Sequence, residues 1–331
     1  MIIETRAYAR AGLLGNPSDG YFGKTISISV RNFGAHVSLY QTPELRIEPQ
    51  IQDLHQYKNI NDLVESVNLH GYYGGDRLIK AAIKKFRDYC QTEGIRLESK
   101  NFTIRYLSTI PRQVGLAGSS AIITSCMRAL MQFYEVEISD KILPSLVLST
   151  EVDELGINAG LQDRVIQVYQ GCVYMNFDKK FMDTHKHGQY MPLEPDLLPK
   201  LYIAYRLDMG KESGVVLNDV RLRYERGDTF VIETLSQIAE LAEKGKKALE
   251  TGDFDTLHSL MNQNFDLRRQ IMNIRNADLA LVETARRCGA SAKFAGSGGS
   301  IIGMYKDDEM LNHLKVELKK VKARVINPFI K

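Results

Sequence analysis

Residues 111–125 of the 331-residue chain read PRQVGLAGSSAIITS. Gly115 and Gly118 let backbone N–H groups approach a ligand with no Cβ in between. The apolar run that follows starts a helix, whose first N–H groups and partial positive charge suit a phosphate. Ser119 and Ser120 add hydroxyls for a phosphate or a metal ion. Taken alone, the stretch equally describes a tight turn with a serine N-cap. INAGLQDRV (157–165) places the carboxylate of Asp163 just past Gly160 and beside Arg164. KFAGSGGSIIG (293–303) supplies a second glycine-rich turn, Gly296, Ser297, Gly298 and Gly299. A third glycine-bearing stretch, GNPSDGYFGKT, invites a P-loop reading. That motif needs a glycine five residues before Gly23, where Ser18 stands, and a helix after it, where the pattern reads as strand. A P-loop is therefore excluded.

The elements that must hold these groups are mixed. ETRAYARAGLLG, TISISV, AHVSLY, LRIEPQ and NFTIRYLS read as strands from their alternation and β-branched content. INDLVESV and GGDRLIKAAIKKFRDYCQTEG have helical periodicity, the second ending at Gly94. A helix is expected over about Ser119–Tyr134. SDKILPSLVLSTEVDELG also reads as helix, with Pro144 early in it or kinking it. RVIQVYQGCVYMNF reads as a short element followed by a strand. DKKFMDTHKHGQYMPLEPDLLP, with three prolines and mixed charge, reads as a loop or domain connection. Beyond it come the strand KLYIAYRL, three helices between 229 and 289, a strand pair around Ser297–Gly299, a helix at DDEMLNHLKVELKKVK and a closing strand. Strands and helices in both halves favour an α+β protein over strict βαβ alternation. Two domains are expected, 1–190 and 191–331.

With 43 Lys and Arg against 40 Asp and Glu, net +3, and no block of like charge, no global pull toward nucleic acid is expected. No apolar run spans a bilayer and the first residues lack a signal-peptide core, so a cytoplasmic protein is expected. Cys90, Cys126, Cys172 and Cys288 form no CxxC pair, and reduced thiols without a structural metal are expected.

Order and spacing of the motifs resemble the GHMP kinase superfamily, which includes galactokinases, homoserine kinases, mevalonate kinases and phosphomevalonate kinases. Pro111, Gly115, Leu116, Gly118, Ser119, Ser120 and Ala121 match its phosphate loop, Pro-x-x-x-Gly-Leu-Gly-Ser-Ser-Ala, with Ala117 as one extra residue. KFAGSGGS resembles its C-terminal glycine-rich motif. RAGLLGNPSDGY resembles the galactokinase signature Arg-Val-Asn-Leu-Ile-Gly-Glu-His-Thr-Asp-Tyr, with Asn16 and Pro17 in place of Glu-His. Within the superfamily, the Gly-Asn-Pro-Ser-Asp turn, the lengthened loop and Gly-Leu-Gln-Asp-Arg are similar to plant-type glucuronokinases.

The resemblance implies a ribosomal-protein-S5-like N-terminal domain, a ferredoxin-like C-terminal domain and a cleft between them. It implies an ATP- and Mg²⁺-dependent sugar 1-kinase acting on D-glucuronate. A kinase for another sugar or small alcohol (galactose-, heptose- or mevalonate-type) and a catalytically silent sugar-binding relative remain alternatives. The resemblance implies nucleotide contacts from residues 111–121 and 296–299, and Mg²⁺ ligation by Ser120 and Glu151. It makes Asp163 the base or orienting group, with Arg10 beside it. Asp19, Asn16 and Gly160 fall to the sugar. Lys24, Arg112, Arg221 and Arg223 are candidates for a substrate carboxylate or for ATP. At Asn16 a neutral amide replaces the carboxylate that would repel a uronate.

Overall fold

A computed structural model describes residues 2–48, 76–207 and 215–330. The helical stretch expected at 60–67 lies outside the described residues. Strands β1 (Ile2–Leu14) and β2 (Lys24–Thr42) pair antiparallel along their whole length and form the spine of the first sheet. TISISV and AHVSLY are therefore one strand. Its register against β1 shifts between Tyr8 and Ala9, near Gly34, so the strand bends there without ending.

The long β2 pairs with β4 (Asn101–Ser108) through its second half and with β5 (Cys172–Asn176) through its first. The short β3 (Arg46–Glu48) lies parallel to β4, and β6 (Gln189–Leu193) closes the other end on β5. The stretch 178–199, expected as a loop, thus carries structure. A helix caps on Asp178 and β6 forms an edge strand, where Pro192 is tolerated because one side of the strand has no ladder partner. The helix before β4 is α1 (Asp76–Thr92); α2 is Gly118–Tyr134 and α3 is Leu143–Ser149. Pro144 sits in the first turn of α3, where a missing N–H costs nothing. α3 continues as a π turn, Thr150–Glu154, and is followed by α4 (Gln162–Tyr169) and α5 (Lys179–His185).

The second sheet is antiparallel, in the order β10-β7-β9-β8: β7 (Leu201–Arg206), β8 (Lys293–Phe294), β9 (Ser300–Met304) and β10 (Ala323–Ile326). Numbered within the sheet this is 4-1-3-2, a ferredoxin-like arrangement. Its helices are α6 (Val215–Glu225), α7 (Thr229–Thr251), α8 (Phe254–Ile271), α9 (Asn276–Arg287) and α10 (Asp308–Lys320).

β1 reports where the site must be. Its first half alternates exposed and buried; from Ala9 to Leu14 every residue is buried. Helices α2, α4, α7 and α8 all pack against this strand. The apolar α2 is buried from Ser120 through Met127 for the same reason. One hydrophobic core joins both sheets, from Leu13, Ile26 and Ile123 to Ile203, Ile302 and Met304. All four cysteines are free. Among the described residues no helix is long and apolar enough to cross a membrane, and no group of three or more His, Cys, Asp or Glu side chains could by itself hold a metal.

Candidate active site

Arg10, at the point where β1 becomes buried, ties together all three motifs. Its Nε and Nη2 donate to the two oxygens of Asp163 at 2.6 and 2.8 Å. Its Nη1 donates to the Gly115 carbonyl at 2.5 Å and to the Ala295 carbonyl at 3.1 Å. One guanidinium thus joins the first turn of α4 to both glycine-rich turns. The turns also pack directly on one another. Gly115 has φ +70°, and an added Cβ would lie 2.7 Å from the Gly298 carbonyl oxygen. A Cβ on Gly296 would collide with the Gly115 carbonyl oxygen and lie 2.6 Å from Nη1 of Arg10.

The first turn opens onto a cleft of about 520 Å³ that also holds Arg10, Asp19, Glu151, Asp163 and Arg268. The N-terminus of α2 has no side-chain cap. Its first N–H groups are therefore left for a ligand. Ala117 precedes it at φ 62° and ψ 48°, a left-handed conformation unusual for alanine. Its carbonyl is held by Gln167 Nε2 at 2.9 Å and by Ser120 Oγ at 3.3 Å. At Gly118 an added Cβ would meet only Ile110, at 3.6 Å, so space remains there.

Three carboxylates in the cleft are held in different states. Burial would raise Asp163, but the guanidiniums of Arg10 and Arg164 outweigh it and keep its carboxyl below the usual range. Asp19 accepts from the Gln162 backbone N–H and from Gln162 Nε2 at 3.3 and 3.2 Å. Burial and then the charge of Asp163 push Asp19 up to about 7. Glu151 is 1 % exposed and uses Oε2 alone to accept from Nε and Nη2 of Arg164. Burial raises its pKa, an effect that Arg164 opposes.

Of the nucleotide-loop candidates, Pro111, Gly115, Leu116, Ala117, Gly118, Ser119 and Ser120 line the cleft, as do Gly296 and Ser297. Gly298 and Gly299 stand behind them: the Gly298 carbonyl abuts Gly115, and the Gly299 carbonyl accepts from the Arg206 N–H at 2.9 Å. Ala121 is wholly buried in the body of α2. Asn16, Asp19, Gly160, Arg112 and Arg221 reach the cleft. Lys24 and Arg223 do not line it: Lys24 pairs with Glu243 across the outside of β2, and Arg223 pairs with Asp228 at the end of α6.

Asn16 is 1 % exposed and already occupied. Its Oδ1 accepts from Lys293 Nζ and its Nδ2 donates to the Phe294 carbonyl at 3.3 Å. Residues 15–16 are further clamped by Asn264, whose Oδ1 accepts from the Gly15 N–H at 2.8 Å and whose Nδ2 donates to the Asn16 carbonyl at 3.1 Å. Gln162 and Arg164 lie in the Gly-Leu-Gln-Asp-Arg motif and Lys293 opens KFAGSGGS, but none of the three takes a role from its motif; Asn264 and Arg268 fall in no motif. A signal for two of them exists: Asn264 and Arg268, four apart, interrupt the buried stripe of α8 formed by Leu257, Leu260, Met261, Phe265 and Ile271.

The model of the GHMP kinases N terminal domain matches residues 77–171, and that of the GHMP kinases C terminal domain matches 246–323. The chain belongs to the GHMP kinase family. It is 45 % identical over 306 residues to glucuronokinase 1 of Arabidopsis thaliana, covering 91 % of this chain and 84 % of that one. It is 46 % identical over 308 residues to the probable glucuronokinase 2 of the same plant, with the same coverage. The crystal structure of Lactococcus lactis galactokinase complexed with galactose superposes with a TM-score of 0.76 at 17 % identity, covering 99 % of this chain and 93 % of that one, a likeness of fold.

Proposed function

We propose that the protein is an ATP-dependent sugar 1-kinase that converts D-glucuronate to its 1-phosphate. The observation that carries the reading is the Arg10–Asp163 pair at the junction of the two glycine-rich turns. The similarity to glucuronokinases supports the choice of sugar acid.

Phosphoryl transfer asks chiefly for positioning and charge stabilisation. The N–H groups at the start of α2 and the turn 115–120 cradle the phosphates. Asp163, kept ionised, accepts a hydrogen bond from the attacking C1 hydroxyl, orients it, and takes its proton as the new O–P bond forms and the bond from the γ-phosphorus to the bridging oxygen of the leaving ADP breaks. Arg10 fixes the carboxylate with two bonds and spends two more N–H groups on the turns. The remaining hydrogen of its five-donor fork is free for the moving phosphoryl group.

Ser120 Oγ and Glu151 Oε1 are the groups that would hold Mg²⁺. The fit is that of a hard cation completed by phosphate oxygens and water: Oε1 takes no part in the Arg164 contacts, and the described residues offer no protein-only cluster. When bound, the cation neutralises phosphate charge.

ADP release should be measured for D-glucuronate, D-galacturonate, galactose, glucose and mevalonate, with the product position read by phosphorus NMR. D-glucuronate should show the highest kcat/KM and yield the 1-phosphate. Preference for a neutral sugar or for mevalonate would reject the reading.

A further inference from the structure

Three buried arginines line the cleft: Arg10, Arg164 and Arg268, at 5, 3 and 2 % exposure. Arg10 grips Asp163 and Arg164 grips Glu151. Arg268 has no carboxylate within ion-pair distance among the described residues. Its partners are neutral: Nη1 donates to the Gly296 carbonyl at 2.7 Å, Nη2 reaches the Ser297 carbonyl only at 3.5 Å, and Nε faces the sulfur of Met272 at 3.2 Å. The guanidinium also lies over the Phe294 ring, 5.1 Å from its centroid. One hydrogen on each terminal nitrogen remains unused and can donate to an anion. A buried cation without a counter-ion is costly, and burial lowers the Arg268 pKa to about 10. An anionic ligand would supply the missing charge.

Which anion follows from placement. Gly296 stands between the two guanidiniums: its Cα side faces Arg10 and its carbonyl accepts from Arg268. Arg268 is therefore joined to the Arg10–Asp163 pair through a single residue, Gly296. The charged group that acts most strongly on it is Asp19, at the sugar end of the cleft. Arg221, the other arginine on that side, is about half exposed and already pairs with Glu225 at 3.1 Å. The phosphates have their own cradle at the start of α2.

We infer that Arg268 binds the C6 carboxylate of the acceptor and so selects a uronic acid over a neutral sugar. The inference rests on the reading of the protein as a uronate kinase. It also reassigns a role that the sequence suggested for Asn16, whose amide serves Lys293 and Phe294.

The test compares glucuronate with glucuronamide, its uncharged counterpart, in the wild type, Arg268→Gln and Arg268→Lys. A charge-assisted pair contributes enough for wild-type kcat/KM to favour glucuronate by roughly 10- to 100-fold. In Arg268→Gln that ratio should fall to about one, with KM for MgATP within about threefold of wild type. Arg268→Lys, which keeps the charge but loses the fork, should retain an intermediate ratio, and serves alone if the glutamine variant does not fold. A ratio unchanged in the variants overturns the inference. So does a parallel rise in KM for MgATP and for glucuronate with the ratio preserved, because that is the mark of a support for the 296–297 turn only. If the wild type uses neither compound but phosphorylates another alcohol, the uronate reading itself fails and this inference with it. A wild type that prefers glucuronate with variants that keep the preference removes the inference alone.

Discussion

Asp163 and Asp19 share the end of one cleft, yet their surroundings drive them apart. Asp163 faces two guanidiniums, which hold its carboxyl below the usual carboxylate range, as the proposed orienting role requires. Asp163→Ala should lower kcat by roughly 10²–10⁴-fold while MgATP binding, read by calorimetry, stays near wild type. A variant with wild-type kcat would remove Asp163 from the chemistry. Asp19 behaves in the opposite way. Its carboxyl is raised from 3.8 to about 7, first by burial and then by Asp163. Between those values the folded protein binds more protons at this group than the unfolded chain does. Its contribution to stability therefore falls as pH rises from 4 to 7. The full effect is at most ~4 kcal/mol and is reduced by the partial exposure of the side chain. Asp19→Asn abolishes this titration. Its melting temperature relative to wild type should rise between pH 5 and pH 8; a constant difference would show that Asp19 titrates normally in the folded state.

At the scale of elements, the two glycine-rich turns are one interlocked unit. Gly296 has no room for a Cβ between Gly115 and Arg10, whereas a Cβ at Gly118 would make only an ordinary contact with Ile110 at 3.6 Å. Gly296→Ala should cost ~2 kcal/mol or more in denaturant unfolding and lower activity with it. Gly118→Val should leave stability within about 1 kcal/mol but raise KM for MgATP strongly, because a branched side chain then occupies the phosphate approach. Equal losses of stability would deny the distinction. Both turns were legible in the sequence, since glycines at fixed offsets before an apolar run are local signals. So were most helices and the 4-1-3-2 strands. The unity of β2 was not legible, because Gly34 in the middle of a strand reads as a break until a partner strand bends with it. Nor was β6, whose Pro192 and polar residues become a strand only through pairing with β5. Asn264, Arg268 and Lys293 were missed for a similar reason. Each is buried by contacts more than two hundred residues away or across a turn that only the fold brings near.

Across the whole molecule, the two sheets are held to one another by polar contacts as well as by a shared apolar core. Lys293 leaves β8 and donates to the Gly12 carbonyl at 2.7 Å, to the Phe294 carbonyl at 2.8 Å and to Asn16 Oδ1, so it ties the second sheet to the end of β1. Burial, together with the nearby Arg268 and Arg10, drives its pKa well down. It is kept in spite of that because the Gly12 carbonyl and Asn16 Oδ1 would otherwise lose a buried donor, and the Phe294 carbonyl would keep only the 3.3 Å bond from Asn16 Nδ2. Lys293→Met keeps the length and apolar stem but takes the donor from the Gly12 carbonyl and from Asn16 Oδ1, at ~1–3 kcal/mol for each one that finds no other partner or water. A net loss of at least ~2 kcal/mol is expected. Because a single core spans both sheets, the loss should lower one cooperative transition rather than split it in two. Saturating MgATP with glucuronate should raise that same transition, by about 2.7 kcal/mol at a hundred times Kd. Two separated transitions in the wild type, only one of them moved by ligand, would mean that the cleft does not couple the two sheets. A Lys293→Met protein as stable as wild type would mean that water replaces the amine without cost.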